Sequence, residues 1–275
     1  MASGHDVRPV SGGRAYLLLL GAAFRAQFQY RGNLLLTLAG GVAYQGAGLA
    51  FLWVVVDRFG ALGGWRPAEI AFLYGMRLTS HGLSVIFGNQ LHNLDLCVRT
   101  GEFDRYLLRP AGELTQLLTR GVHLPAFGDL GLGLAVLAVA APGAGIDASP
   151  AALLFLLLAV VGGTLVEGGC QLAVAAFSFR MLSTVGLRMF IDDVMNNFGT
   201  YPMKVFPPAT RLALTFVLPL AFVAYLPAGV LLGRTGGLHV TPWLAFGAPL
   251  AGPLIAAAAH RLWRSQLRHY QGTGT

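Results

Sequence analysis

The reactive side chains of this sequence are few, and five of them stand where charge is rare. Arg77, His81, Glu167, Asp192 and Asp193 lie within or beside runs that are otherwise apolar. An ionisable group surrounded by hydrocarbon is costly, so such residues turn toward protein, a second subunit or a wet path. Tyr74, Arg77, His81, Ser84 and Gly88 recur at steps of three and four, which places one polar stripe on one helical face. Thr164, Glu167, Gln171 and Ser178 make a second stripe, and Arg188, Asp192 and Asn196 with Asp193 and Asn197 a third. Each stripe has two readings. One is a packing seam whose hydrogen bonds close within a helix bundle; the other is the lining of a substrate path or the seam with a second membrane subunit. Glu167 reads as the one carboxylate deep in an apolar run, so Glu167→Ala is expected to impair transport and leave folding intact. Proton coupling through Glu167 and His81 is the alternative use of the same residues.

Catalytic constellations do not emerge. There is no Gly-x-Ser-x-Gly elbow and no His-Glu-x-x-His, and the only lysine is Lys204, which rules out a Gly-x-x-x-x-Gly-Lys-Ser/Thr phosphate loop. His92, Asp95 and Cys97 lack the spacing of a zinc site. No catalytic residue, bound cofactor or metal is expected on this chain.

Membrane helices are the elements that must position these groups. Hydrophobic residues make up 55% of the chain and charged residues 11%, with a mean hydropathy of +0.62; a soluble domain carries roughly 25% charge. Apolar runs of about 18 residues or more are long enough to cross a ~30 Å hydrocarbon core as helices. The candidates are 34–56, 70–91, 121–141, 151–178, 212–233 and 242–262. Residues 181–200 are also helix-length but hold Arg188, Asp192, Asp193, Asn196 and Asn197. Trp243 and Trp263, twenty residues apart, fit the two aromatic belts at the bilayer surfaces.

Basic residues fix the orientation. Arg8, Arg14, Arg25 and Arg31, then Arg99, Arg105, Arg109 and Arg120, then Arg180, and finally Arg261, Arg264 and Arg268 fall on one side of the alternating spans. That side is read as cytoplasmic, together with both termini. The formal charge of +7 follows from this bias, and no basic domain suggests a nucleic-acid partner. Arg14 and the apolar stretch after it imitate a signal peptide, but Arg25 and Arg31 follow too closely, so 14–31 is expected as an interfacial helix. Cys97 and Cys170 fall in the cytosolic loop and inside a span, so no disulfide is expected.

One charged stretch, His92 to Arg120, interrupts the apolar pattern, with Gly101 to Pro110 at its middle. Phe103, Tyr106 and Leu107 stand at i, i+3 and i+4, with Glu102, Asp104, Arg105 and Arg109 around them and Pro110 limiting the helix. Either this is a solvated surface helix with a local Glu102 to Arg105 ion pair, or it is a peg that docks into a groove on a soluble subunit with its aromatics as anchors.

Three motifs resemble the membrane subunits of ABC transporters of the type-2 exporter class, in the branch associated with multidrug or antibiotic export. They are the Gly-x-Phe-Asp-x-x-Leu-x-Arg-Pro pattern at Gly101 to Pro110; Tyr201 and Pro202 followed by Leu214 to Pro227; and Trp263 to Gly274. The last departs from the family ending at Gln266, where glycine is usual, and at Gly272, where serine is. The resemblance implies an all-α polytopic fold of six spans, with 14–31 as an elbow helix and the stretch within 92–120 as a coupling helix. It also implies that 181–200 is the fifth span and 205–233 an external re-entrant hairpin, whereas hydropathy prefers 212–233 as that span. The partners implied are two copies of an ATP-binding subunit, which carry ATP and magnesium, and an identical or homologous second permease in the cell membrane. Glu102, Phe103, Asp104, Arg105, Tyr106 and Arg109 would couple to the ATPase; Arg77, His81, Glu167, Asp192 and Asp193 would lie on the path or the subunit seam.

Overall fold

The computed structural model describes residues 21, 31–109, 112–181 and 183–270. The expected elbow at 14–31 lies outside the described residues except at its residues 21 and 31. Helix α1 (Arg31–Phe59) leads into α2 (Pro67–Gly88), which starts at a reciprocal cap: Arg66 N donates to Glu69 Oε2 at 2.7 Å. A 3-10 turn at Asn89–Asn93 joins α2 to α3 (Leu94–Arg99). The short helices α4 (Asp104–Leu107) and α5 (Glu113–Leu118) complete the charged stretch. Helix α6 (Pro125–Ala144) ends at Gly145, whose φ of 75° suits the left-handed cap. Helix α7 (Pro150–Ala176) begins where Ser149 Oγ accepts from Ala152 N at 3.3 Å. Then come α8 (Val185–Phe198), α9 (Pro208–Leu212), α10 (Tyr225–Leu231), α11 (Pro242–Phe246) and α12 (Ala248–Leu267).

Among the described residues four helices are long and apolar enough to cross a membrane: Leu35–Val55, Pro67–Arg99, Pro125–Ala144 and Pro150–Phe179. Pro208–Val217 and Leu220–Leu231 make a fifth if counted together, but they meet at 75°. The straight helix that hydropathy expects over 212–233 is therefore two arms, because Pro219 lacks the N–H that would continue the ladder. Helix α8 has 14 residues and reaches only about 21 Å. Helix α12 has 20 residues, and His260, Arg261 and Arg264 lower the apolarity of its second half. A break at Gly247 separates α11 from α12, so the two tryptophans do not frame one straight helix. Trp243 is 86% exposed while Trp263 is fully buried and serves packing rather than a belt.

Helix α2 is the centre of the bundle, with Ile70, Phe72, Leu73 and Met76 fully buried. Glycines allow its neighbours to approach. A Cβ on Gly133 of α6 would stand 2.7 Å from Thr79 N, and one on Gly82 would stand 2.8 Å from Leu130 N. The α7–α12 contact is equally close, since a Cβ on Gly162 would meet Pro249 O at 2.7 Å. Small residues at such crossings are how membrane helices gain close packing. The result places the polar stripe of α2 against α7 and leaves α1 on the outside.

Candidate functional site

Arg77 and His81 stand one turn apart on α2 and both reach Glu167 of α7. Arg77 Nη1 lies 2.8 Å from Glu167 Oε1, with side chains 4% and 3% exposed. His81 Nδ1 lies 2.9 Å from Glu167 Oε2. Arg77 Nη2 donates to Met195 O at 3.2 Å and to Asn196 Oδ1 at 3.3 Å. These acceptors belong to the last turn of α8, where the helix dipole favours a cation; Met195 O also accepts from Gly199 N at 3.2 Å. Gly199 is required beside them, because a Cβ there would stand 2.7 Å from Arg77 Nε. One guanidinium thus ties α2, α7 and α8 together. A buried pair of this kind is costly to break, because the surviving charge has no water to turn to.

Asp192 stands nearby, held by the Gln171 amide on α7, which donates to its carboxylate. Asp193, the next residue, is exposed and makes no ion pair among the described residues. A small cavity of ≈ 30 Å³ lies between His81, Glu167, Gln171 and Asp192. On the other side of His81 opens a larger one of ≈ 590 Å³. Tyr44 and Gln45 of α1, Tyr74 and Arg77 of α2, Asn196 of α8 and Tyr201 face it. So does Asp129 of α6, which sequence reasoning passed over. Glu167 is therefore not the single carboxylate in an apolar helix. The signal for Asp129 was present in the sequence, as an acid four residues inside the apolar run that starts at Pro125.

The charged stretch forms a second polar centre with an aromatic base. Phe103 is fully buried, its ring 5.0 Å from that of Phe179, 5.1 Å from Tyr270 and 6.4 Å from Trp263, in edge-on arrangements. Its ring therefore holds the loop to α12 and the end of α7 instead of offering itself as an external anchor. Tyr106 is packed beside it, with ring centroids 5.7 Å apart. Glu102 does not pair with Arg105; it forms a two-pronged bridge to Arg120, at 3.0 and 3.1 Å. Asp104 Oδ1 accepts from the Tyr270 hydroxyl at 2.8 Å. Burial, and then this bond, push the Tyr270 hydroxyl up to about 12. Burial likewise raises Tyr106. At Arg120 burial works against the charge, but Tyr106, Cys97 and Glu102 outweigh it and the pKa rises. Asp95 accepts from Thr184 N at 3.1 Å and pairs with Arg99 at 3.0 Å, which ties α3 to the start of α8. What remains outward is Arg105, Leu107, Leu108 and Arg109, all exposed, with Leu108 86% so.

A family model described as "ABC-2 family transporter protein" matches residues 42–274. No curated protein and no solved structure matches the chain.

Proposed function

We infer, from the premise that this chain belongs to the ABC-2 transporter family over residues 42–274, that it is the membrane subunit of an ATP-driven exporter. Membership makes it a multi-pass membrane permease and implies an ATP-binding partner. Beyond that, the proposed assembly has two copies of the ATP-binding subunit, a second permease of the same or a related kind, and the cell membrane around them. Hydrolysis of ATP with its magnesium belongs to the partner. Six spans are proposed, with 14–31 as the elbow, 181–200, which includes α8, as the fifth crossing, 205–233 as an external hairpin and 242–262 as the sixth. Both termini and the 92–120 stretch are cytoplasmic in this arrangement.

The observation that carries the proposal is the way Gly101 to Arg109 is fastened. Phe103 joins it to α12 through Trp263, and Glu102 joins it to Arg120, just ahead of α6. A push on the outward face of Arg105, Leu107, Leu108 and Arg109 is thereby passed to membrane helices. Closure of ATP-bound partners would supply that push and rock the two membrane halves between inward-open and outward-open states. The path runs beside Arg77, His81 and Glu167, and the substrate is a small molecule, drug, antibiotic or lipid-like compound. A second reading, a proton-coupled transporter working alone, draws on the His81 to Glu167 contact, with His81 lining both cavities.

Affinity purification of the tagged chain from its native host in mild detergent decides between the two. Co-purification of a stoichiometric ATP-binding subunit supports the exporter. Proton-driven uptake by vesicles containing the chain alone would sink it. Arg105→Ala with Leu108→Ala and Arg109→Ala should then weaken assembly or uncouple hydrolysis from transport, and wild-type export by that variant would defeat the coupling assignment. External labelling of a cysteine placed at Lys204 tests the hairpin, since an internal hairpin would leave it unlabelled.

A further inference from the structure

We propose that the ≈ 590 Å³ cavity between α1, α2, α6 and α8 binds an organic monocation with an aromatic or apolar body, and that Asp129 is its counter-charge. This deepens the reading of the chain as a transport permease and rests on it. The cavity volume falls inside the roughly 300–1,000 Å³ typical of small-molecule sites.

Charge bookkeeping selects a cation. Four ionisable side chains that carry or can carry full charge face the space, namely Arg77, His81, His123 and Asp129, with the tyrosines Tyr44, Tyr74 and Tyr201 beside them. Arg77 is cancelled by Glu167, which stands behind it at 2.8 Å. Asp129 makes no ion pair among the described residues, and the side-chain hydrogen bond it receives comes from the neutral Gln45 amide. Asp129 is therefore the one acid on the wall that no ion pair among the described residues cancels.

An anion would find the one guanidinium on the wall already engaged. Arg77 Nη1 is spent on Glu167 and Nη2 on Met195 O and Asn196 Oδ1, while Nε is buried against Gly199. A cation, by contrast, meets the carboxylate and the rings of Tyr44, Phe51, Tyr74 and Tyr201. Aromatic faces attract cations through their quadrupole, and more strongly where water is scarce. Tyr74 has its hydroxyl turned to Gln45 O at 2.9 Å, which fixes the ring while leaving its body to the cavity.

Equilibrium binding to the purified full chain in lipid nanodiscs tests this without ATP or any partner. The probes are tritiated tetraphenylphosphonium, the smaller phenyltrimethylammonium, and the anion tetraphenylborate, which shares the shape of the first. Saturable binding of a cationic probe is expected, with tetraphenylborate unable to compete. Asp129→Asn should weaken it by roughly tenfold or more, with Asp129→Glu retaining most of it and both variants melting near the wild type. The comparison of cation with anion on the wild-type chain stands even where a variant fails to fold. Absence of saturable binding of both cations, equal binding of tetraphenylborate, or unchanged affinity in Asp129→Asn each overturns the proposal. A chain that binds the cation yet co-purifies with no ATPase would instead refute the exporter reading and leave the cavity assignment in place.

Discussion

Two polar centres, one inside the bundle and one at its charged end, are built from similar residues and stabilised in opposite ways. At Arg77, His81 and Glu167 the ions themselves are the joint: side chains on α2 and α7 meet with almost no exposure, and the backbone of α8 completes the set. At the 101–120 stretch the ions decorate an aromatic joint. Glu102 and Arg120 remain 35% and 42% exposed, while Phe103 beneath them is fully buried. Charge without water is hard to remove, because its partner is stranded; charge beside water is easily replaced by solvent. The inner centre is thus a structural bond across three helices, and the outer one an aromatic joint whose ion pair stays beside water.

The sharpest way to break the comparison is to strand one charge of the inner pair. Glu167→Ala or Arg77→Ala should cost about 3–5 kcal/mol of stability, read as a lowered melting temperature and loss of monodispersity in detergent. This revises the expectation that Glu167→Ala leaves folding intact, because its carboxylate is the only ion-pair partner shown for a buried guanidinium. Replacing both, Arg77→Met with Glu167→Met, should restore most of the loss. A double variant as unstable as the singles would show that Arg77 is needed chiefly for its bonds to α8.

Removing the ring under the outer centre comes next. Phe103→Ala should cost about 3 kcal/mol, the lower end for a buried phenylalanine, since an adjacent loop can settle into the space. Cys97 is 1% exposed in the folded chain, so faster maleimide labelling of Cys97 at neutral pH would report the loosened loop. Unchanged labelling would mean that Asp95 and its bond to Thr184 hold the segment without Phe103.

Glu102→Gln is the matched test of exposed charge. Its bridge to Arg120 is open to solvent, so the stability change should stay within about 1 kcal/mol. A loss as large as that of Glu167→Ala would erase the distinction between the two centres.

The helices and the polar stripe of α2 were legible because apolar runs and steps of three and four residues are local properties of the chain. Which stripe meets which was not. Glu167 lies 86 residues from His81, and the packing of Ser80 on α2 against Val160, Gly163 and Thr164 on α7 sets the register that brings them together. Phe103 shows the same gap in another form. Its spacing with Tyr106 and Leu107 says that one face is apolar, but not whether this chain or a partner covers it, and α12 covers it. Asp129 was missed because hydropathy averages a lone acid into its run. The cavity formed by α1 and α8 gives it meaning, and that is a property of packing.

The smallest effect is expected at Tyr270, and its sign follows from the environment. Its hydroxyl donates to Asp104 Oδ1 and its pKa is held up to about 12, above the ~10 of an unfolded chain. A group whose folded pKa is raised contributes stability that is complete below the unfolded value and is lost as pH climbs through the folded one. The contribution should therefore be intact at neutral pH and disappear between roughly 10 and about 12. Trp263, packed against Phe103 and Phe179 in the same cluster, supplies the readout through its fluorescence. The wild type should show an alkaline step that Tyr270→Phe lacks, with the two chains alike below pH ~9. Identical profiles would mean that rings alone hold this end of the loop, which would sharpen the contrast with the inner centre, where charge is the bond.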